Sequence, residues 1–209
     1  MLKQKLFVGS NYATGIYGKK LLVVGHQKHA TPSEREQFKK NPTMEYTSDN
    51  DNVEMLDELR TGKCMTTWEA KDRKAWLQFG KMLSGNLGFE LGTEQSCNLL
   101  NSLAFCNYLQ VPDFNLEARQ GKDKEELYIF SESIFKEYLD EIEPDKIIVW
   151  GTHAYPYVAK FGDKLDDRHC KITMPSGHTI DVFRINHPCI VGEGGYEQSI
   201  RQIKDFLSR

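Results

Sequence analysis

The chain has 209 residues, 39% hydrophobic and 11% aromatic, which is enough apolar mass for one well-buried core. Its net charge of −3 argues against a protein that coats nucleic acid nonspecifically, and no apolar run approaches the roughly 20 residues of a membrane span. The start, MLKQKLFVGS, has neither a long apolar segment nor a small-residue cleavage site, so a cytoplasmic protein without a secretory signal is expected.

Charge is uneven along the chain. Residues 1–40 carry a balance of +6, which leaves −9 for the remainder. Such a start can contact a phosphate or stand as a solvated face. The five cysteines, at 64, 97, 106, 170 and 189, include no CxxC pair. That pattern predicts neither a disulfide framework nor a structural zinc, but reduced thiols, with Cys97 and Cys106 as small buried hydrophobes.

In chain order, Lys20–Gly25 (KLLVVG) is a nearly continuous apolar run ending in Gly, which predicts a strand buried on both faces. Residues 31–65 are polar, with two prolines and a short helical stretch near Val53–Arg60, and read as an inserted loop or lid. Trp68, Trp76, Phe79, Met82 and Leu83 recur at mostly helical spacing and predict a helix over Thr67–Leu83. Thr93 is placed to cap a second helix that runs into an apolar strand, Leu103–Leu109. Phe130, Ile134, Phe135, Tyr138, Leu139 and Ile142 mark a third helix, ended by Pro144–Asp145. Lys146–Trp150 (KIIVW) then reads as a third parallel strand, and Thr152 as the cap of the helix after it. A hairpin, Lys171–Met174 with Thr179–Ile185, and a closing helix, Tyr196–Leu207, complete the chain. This alternation predicts one α/β domain over 1–209, three layers deep, with a short, mainly parallel central sheet. In such folds ligands bind where loops leave the carboxyl ends of strands.

Three of those ends carry chemistry. Gly25-His26-Gln27-Lys28-His29 gathers two imidazoles, an amide and an ammonium on one loop, although a polar turn uses the same residue types. Asn107-Tyr108 closes the next strand. An Asn there offers a donor and an acceptor to a base edge, or simply caps the loop. Asn186-His187-Pro188-Cys189 leaves the last strand, with Pro188 holding His187 extended so that its imidazole is aimed at one place.

In order and spacing, LLVVGHQKHA, SLAFCNYLQVP, EPDKIIVWGTHA and RINHPC together resemble the uracil-DNA glycosylase superfamily, from Lys19 to about Val191. The opening Gly9-Ser10-Asn11-Tyr12 also looks like an uncharacterised bacterial branch of it. The resemblance implies a hydrolase that cleaves an N-glycosidic bond of a nucleobase extruded from DNA, in the service of repair. It implies that Asn107 reads the base, His187 stabilises the departing anion and Gln27 holds the water. His26, Lys28, His29 and Tyr108 would complete the substrate site, and Ile190-Val191 would wedge into the vacated stack.

This chain departs from the family pattern at three positions. Gln27 replaces the Asp frequent in active members, Lys28 replaces a Pro, and Cys189 replaces a Ser. An amide orients water but takes no proton, so the rate is expected to fall by about 10²–10⁴-fold. The cysteines that hold an iron–sulfur cluster in some branches are missing, so no cofactor is expected. A non-catalytic module that binds nucleic acid or a nucleotide in the same pocket is the competing reading. GxGxxG, GxxxxGK[ST] and GxSxG are all absent, which removes support for other doubly wound enzymes.

Overall fold

The computed structural model describes residues 4–27, 36–37, 40, 56–60, 70–110, 122–190 and 195–209. In chain order the elements are β1 (Phe7–Val8), β2 (Leu21–Gly25), α1 (Ala70–Ser84), α2 (Glu94–Asn101), β3 (Leu103–Asn107), α3 (Lys122–Ile142), β4 (Lys146–Trp150) and α4 (Gly151–Ala159). They continue with β5 (Gly162–Lys164), β6 (His169–Thr173), β7 (Thr179–Ile185), a 3₁₀ turn (Pro188–Ile190) and α5 (Gly195–Ser208).

The apolar runs LLVVG, LAFCN and KIIVW are strands, and every residue in them is buried. Burial on both faces explains why these sequences run apolar instead of alternating. Residues of β2, β3 and β4 divide between two core clusters. On one face Val24, Cys106 and Val149 pack with α3 and α4 through Phe135, Tyr138, Ala154 and Val158. On the other, Val23, Phe105 and Ile148 pack with α1, α2 and α5 through Trp76, Phe79, Leu100 and Phe206. Helices therefore cover both faces of the sheet. Thr93 caps α2 as its position suggested, accepting the Ser96 N–H at 3.2 Å.

The sheet corrects the expectation of a short, mainly parallel one. It has seven strands in the order β1-β3-β2-β4-β7-β6-β5. Parallel pairing is confined to the four central strands, β3, β2, β4 and β7. Both edges are antiparallel. The added edge strands are physically quiet in sequence: β1 has two residues, too few to show a period, and β5 (GDK) is polar. The link from β5 to β6 is also far too short for a parallel crossover, so antiparallel return is forced.

Two further expectations change. Helix α4 starts directly at Gly151 with Trp150 as its N-cap residue, so Thr152 lies inside the helix and caps nothing. The turn off β4 is so abrupt that Gly151 takes φ +79°, a conformation open to glycine at little cost. The expected lid at 31–65 lies mostly outside the described residues. Its last described piece, 56–60, is helical, and Leu56 and Leu59 are buried in the cluster with Trp76 and Phe79. Arg60 also donates to Asn101 Oδ1 at 3.0 Å. That piece belongs to the core.

Candidate functional site

The four parallel strands finish at one edge of the sheet. Gly25 stands beside Asn107, Val24 beside Val149, and Trp150 beside Ile185. Gln27 and His187, on the loops after β2 and β7, and Asn107, the last residue of β3, therefore lie on the same side. The connection from β2 runs through α1 and α2 on one face, whereas β4 continues into α4 on the other. The crevice between β2 and β4 is thus the switch point where open α/β sheets take ligands.

Asn107 is 6% exposed and leans over Gly25. A Cβ at position 25 would stand 2.5 Å from Asn107 Oδ1 and 3.3 Å from the Phe105 ring, so the glycine makes the room that the amide occupies. The loop behind Asn107 is fixed by buried Gln110. Its Nε2 donates to the Asn107 carbonyl at 3.1 Å, and its N–H donates to Ser131 Oγ at 3.3 Å. Its Oε1 accepts the Gln4 N–H at 2.9 Å and the Tyr138 hydroxyl at 3.2 Å. A buried amide with this many partners is costly to disturb.

The β2 and β3 loops are tied together by backbone bonds. Tyr108 N–H donates to the Gly25 carbonyl and Leu109 N–H to that of His26, each at 2.9 Å. His26 is half-buried, and its ring centroid lies 5.5 Å from that of His153 in the first turn of α4. Burial, helped by the nearby His153, pushes the His26 imidazole down to about 4, so it is neutral at neutral pH. Gln27 Oε1 is buried and, among the described residues, accepts no hydrogen bond. A buried acceptor without a donor costs free energy unless a water or ligand supplies one.

The His187 and Trp150 rings meet in a T-shaped arrangement, centroids 6.0 Å apart. His187 Nδ1 accepts the Cys189 N–H at 3.3 Å. A neutral imidazole that accepts at Nδ1 carries its proton on Nε2, so His187 is a donor there. His187 packs over Gly151, where a Cβ would make only an ordinary contact of 3.4 Å with His187 Cβ, so it is the φ of +79° that calls for glycine there. Trp150 forms the floor with Trp76, Phe79 and Phe105, at ring separations of 4.9, 5.1 and 5.6 Å. Its Nε1 is buried and donates to no acceptor among the described residues. The rim thus holds an orphaned acceptor and, on its floor, an orphaned donor.

The other expected site residues fare differently. Tyr108 is fully buried on the opposite face from Asn107, against Phe135 and Tyr157. Alternation along the strand sends neighbouring side chains to opposite faces, which separates the pair. Ile190 is 76% exposed in the 3₁₀ turn. Lys28, His29 and Val191 lie outside the described residues.

Three residues were not singled out from sequence: His153, Trp150 and Gln110. Each had a signal. His153 and Trp150 flank a strand end of the same kind as the others, and Gln110 interrupts an apolar run.

Two cavities lie elsewhere. One of about 350 Å³, lined by Lys146, Asp181, Lys171 and His169, is at the amino ends of β4 and β7, away from the strand-end rim. Lys146 is held there by Asp181 at 2.7 Å. The other, of about 550 Å³, lies beside α4, between Thr152, Tyr155 and Arg184.

Among the described residues no cluster of three or more metal-ligating side chains occurs, and no helix is long and apolar enough to cross a membrane. Cys97, Cys106, Cys170 and Cys189 are free thiols. No protein-family model matches the chain, and no curated protein does.

The room beneath Asn107 gives a direct test of this geometry. Gly25→Ala is expected to lower unfolding stability by about 1–3 kcal/mol, the usual range for overpacking. Urea denaturation measures this, and an unchanged midpoint would mean that Asn107 does not rest on Gly25.

Proposed function

We propose that this chain is a glycosylase-like hydrolase on a uracil-DNA glycosylase-like fold, acting on uracil or another altered base in DNA. The observation that carries the reading is the set of groups at one sheet edge. A buried amide on β3, a buried acceptor after β2 and an oriented imidazole donor after β7 stand at the carboxyl ends of three of the four parallel strands, with β4 between β2 and β7. Base excision needs these three kinds of group: one to hydrogen-bond the base edge, one to hold water, and one to stabilise the departing anion. The orphaned Gln27 Oε1 fits a bound water, which would donate the missing hydrogen bond.

A second reading rests on the same residue. An amide takes no proton near neutral pH, so the site serves equally as a pocket that binds a base without cleaving it. One experiment separates the two. Single-turnover incubation with a labelled uracil-containing strand, followed by alkali, is expected to show slow base release. Binding of that strand with no release at any enzyme excess would leave the binding module as the function.

A further inference from the structure

Gln27 accepts no proton, and a base elsewhere in the site would restore part of the rate that the amide forgoes. On the glycosylase reading, we propose that His26 is the general base of this site and that His153 is the positioning residue that carries its proton out to solvent. The placement supports this. His26 follows β2 and His153 follows β4, so the pair spans the crevice at the topological switch point. The Leu109 N–H, bonded to the His26 carbonyl at 2.9 Å, fixes the backbone behind the base. The two ring centroids lie 5.5 Å apart at 40°, a separation that one bridging water spans. His26 is half-buried and His153 exposed, so the pair runs from the crevice to solvent.

The electrostatics agree with the placement. Held down to about 4, the His26 imidazole has roughly the basicity of a carboxylate and keeps its lone pair at neutral pH. Among the described residues, His153 is the charge-bearing group that acts on it, from α4. Lys28 and His29 follow it in sequence outside the described residues. In the step, a water proton passes to His26 as the water oxygen bonds to the sugar C1′. The C1′–N bond breaks, and its electron pair leaves with the base. His187 Nε2–H donates to the anionic base oxygen, and solvent protonates the departed base. His26 passes its proton to His153, which releases it. A neutral imidazole does not stabilise the positive sugar as a carboxylate does, so this base leaves the enzyme slow.

The test is single-turnover release of uracil by the wild type, His26→Asn, His153→Asn, Gln27→Asp and the His26→Asn/Gln27→Asp double variant. His26→Asn keeps a polar side chain of similar length and is expected to slow release by about 10²-fold. Added imidazole is expected to restore much of that loss, and Gln27→Asp to bypass it. His153→Asn is expected to be slow in dilute buffer and to recover as buffer concentration rises, which a purely structural role would not produce. Wild-type rates from His26→Asn would overturn the assignment. So would a slow His26→Asn that neither imidazole nor Gln27→Asp rescues. If every protein is inert, including Gln27→Asp, the glycosylase reading itself falls and takes this inference with it.

Discussion

His187→Ala is expected to lower the single-turnover rate of base release by about 10²–10³-fold, the usual cost of losing one oxyanion donor. The argument rests on a proton position. The Cys189 N–H occupies Nδ1, which leaves Nε2 as the N–H of the neutral ring. Pro188 restricts the backbone at His187, and Trp150 meets the ring in a T-shaped arrangement, so the donor is aimed before substrate arrives. A donor held in advance loses little on reorganising as charge develops on the base oxygen. Binding of the intact strand should change far less than the rate, because the ground-state carbonyl carries little charge. The variant also removes the His187 Nδ1 acceptor of the Cys189 N–H, at a cost of about 1 kcal/mol, so thermal unfolding should be measured alongside. A variant that remains folded and cleaves at the wild-type rate would remove His187 from the chemistry.

The buried strands were legible in sequence because burial on both faces leaves no room for polar side chains. KLLVVG and KIIVW could hardly be anything else once Gly25 and Gly151 closed them. The helices that pack on them followed from spacing, as at Trp76, Phe79 and Leu83. Edge strands escaped for the opposite reason. Phe7–Val8 is too short for a period, and Gly162–Lys164 is polar and held by the hairpin beside it.

In the site, order along the chain suggested Gln27, Asn107 and His187, and all three leave the same edge of the sheet. Sequence could not show that Asn107 needs Gly25, because that contact crosses two strands brought together only by register. Nor could it separate Tyr108 from Asn107, since adjacent letters give no hint of which face each side chain takes until the strand is placed. The meeting of His153 with His26 likewise crosses two strand ends that come together only once β2 and β4 are in register.

Gln27→Asp is expected to raise the rate of base release by about 10²-fold, at the lower end of what a general base contributes. The carboxylate does two things an amide cannot. It takes the proton of the attacking water in place of His26, and its charge stabilises the positive sugar of the transition state as a neutral imidazole does not. Two terms oppose the gain. Asp is one methylene shorter than Gln, so its oxygen stands back from the place that Oε1 holds. The site is also buried enough to leave Oε1 without solvent, which penalises the charged form and raises the carboxyl toward neutral pH. Gln27→Glu keeps the reach and carries the same charge, so the pair of variants separates distance from desolvation. If Glu is faster than Asp, reach limits the rate. If both are active only as pH rises, desolvation does, since the carboxylate must first lose its proton. The measurement is the pH profile of single-turnover release for the wild type and both variants. Should all three stay inert from pH 5 to about 9 while the wild type still binds the strand, the amide marks a pocket that holds a base without cutting it, and the chain is a binding module.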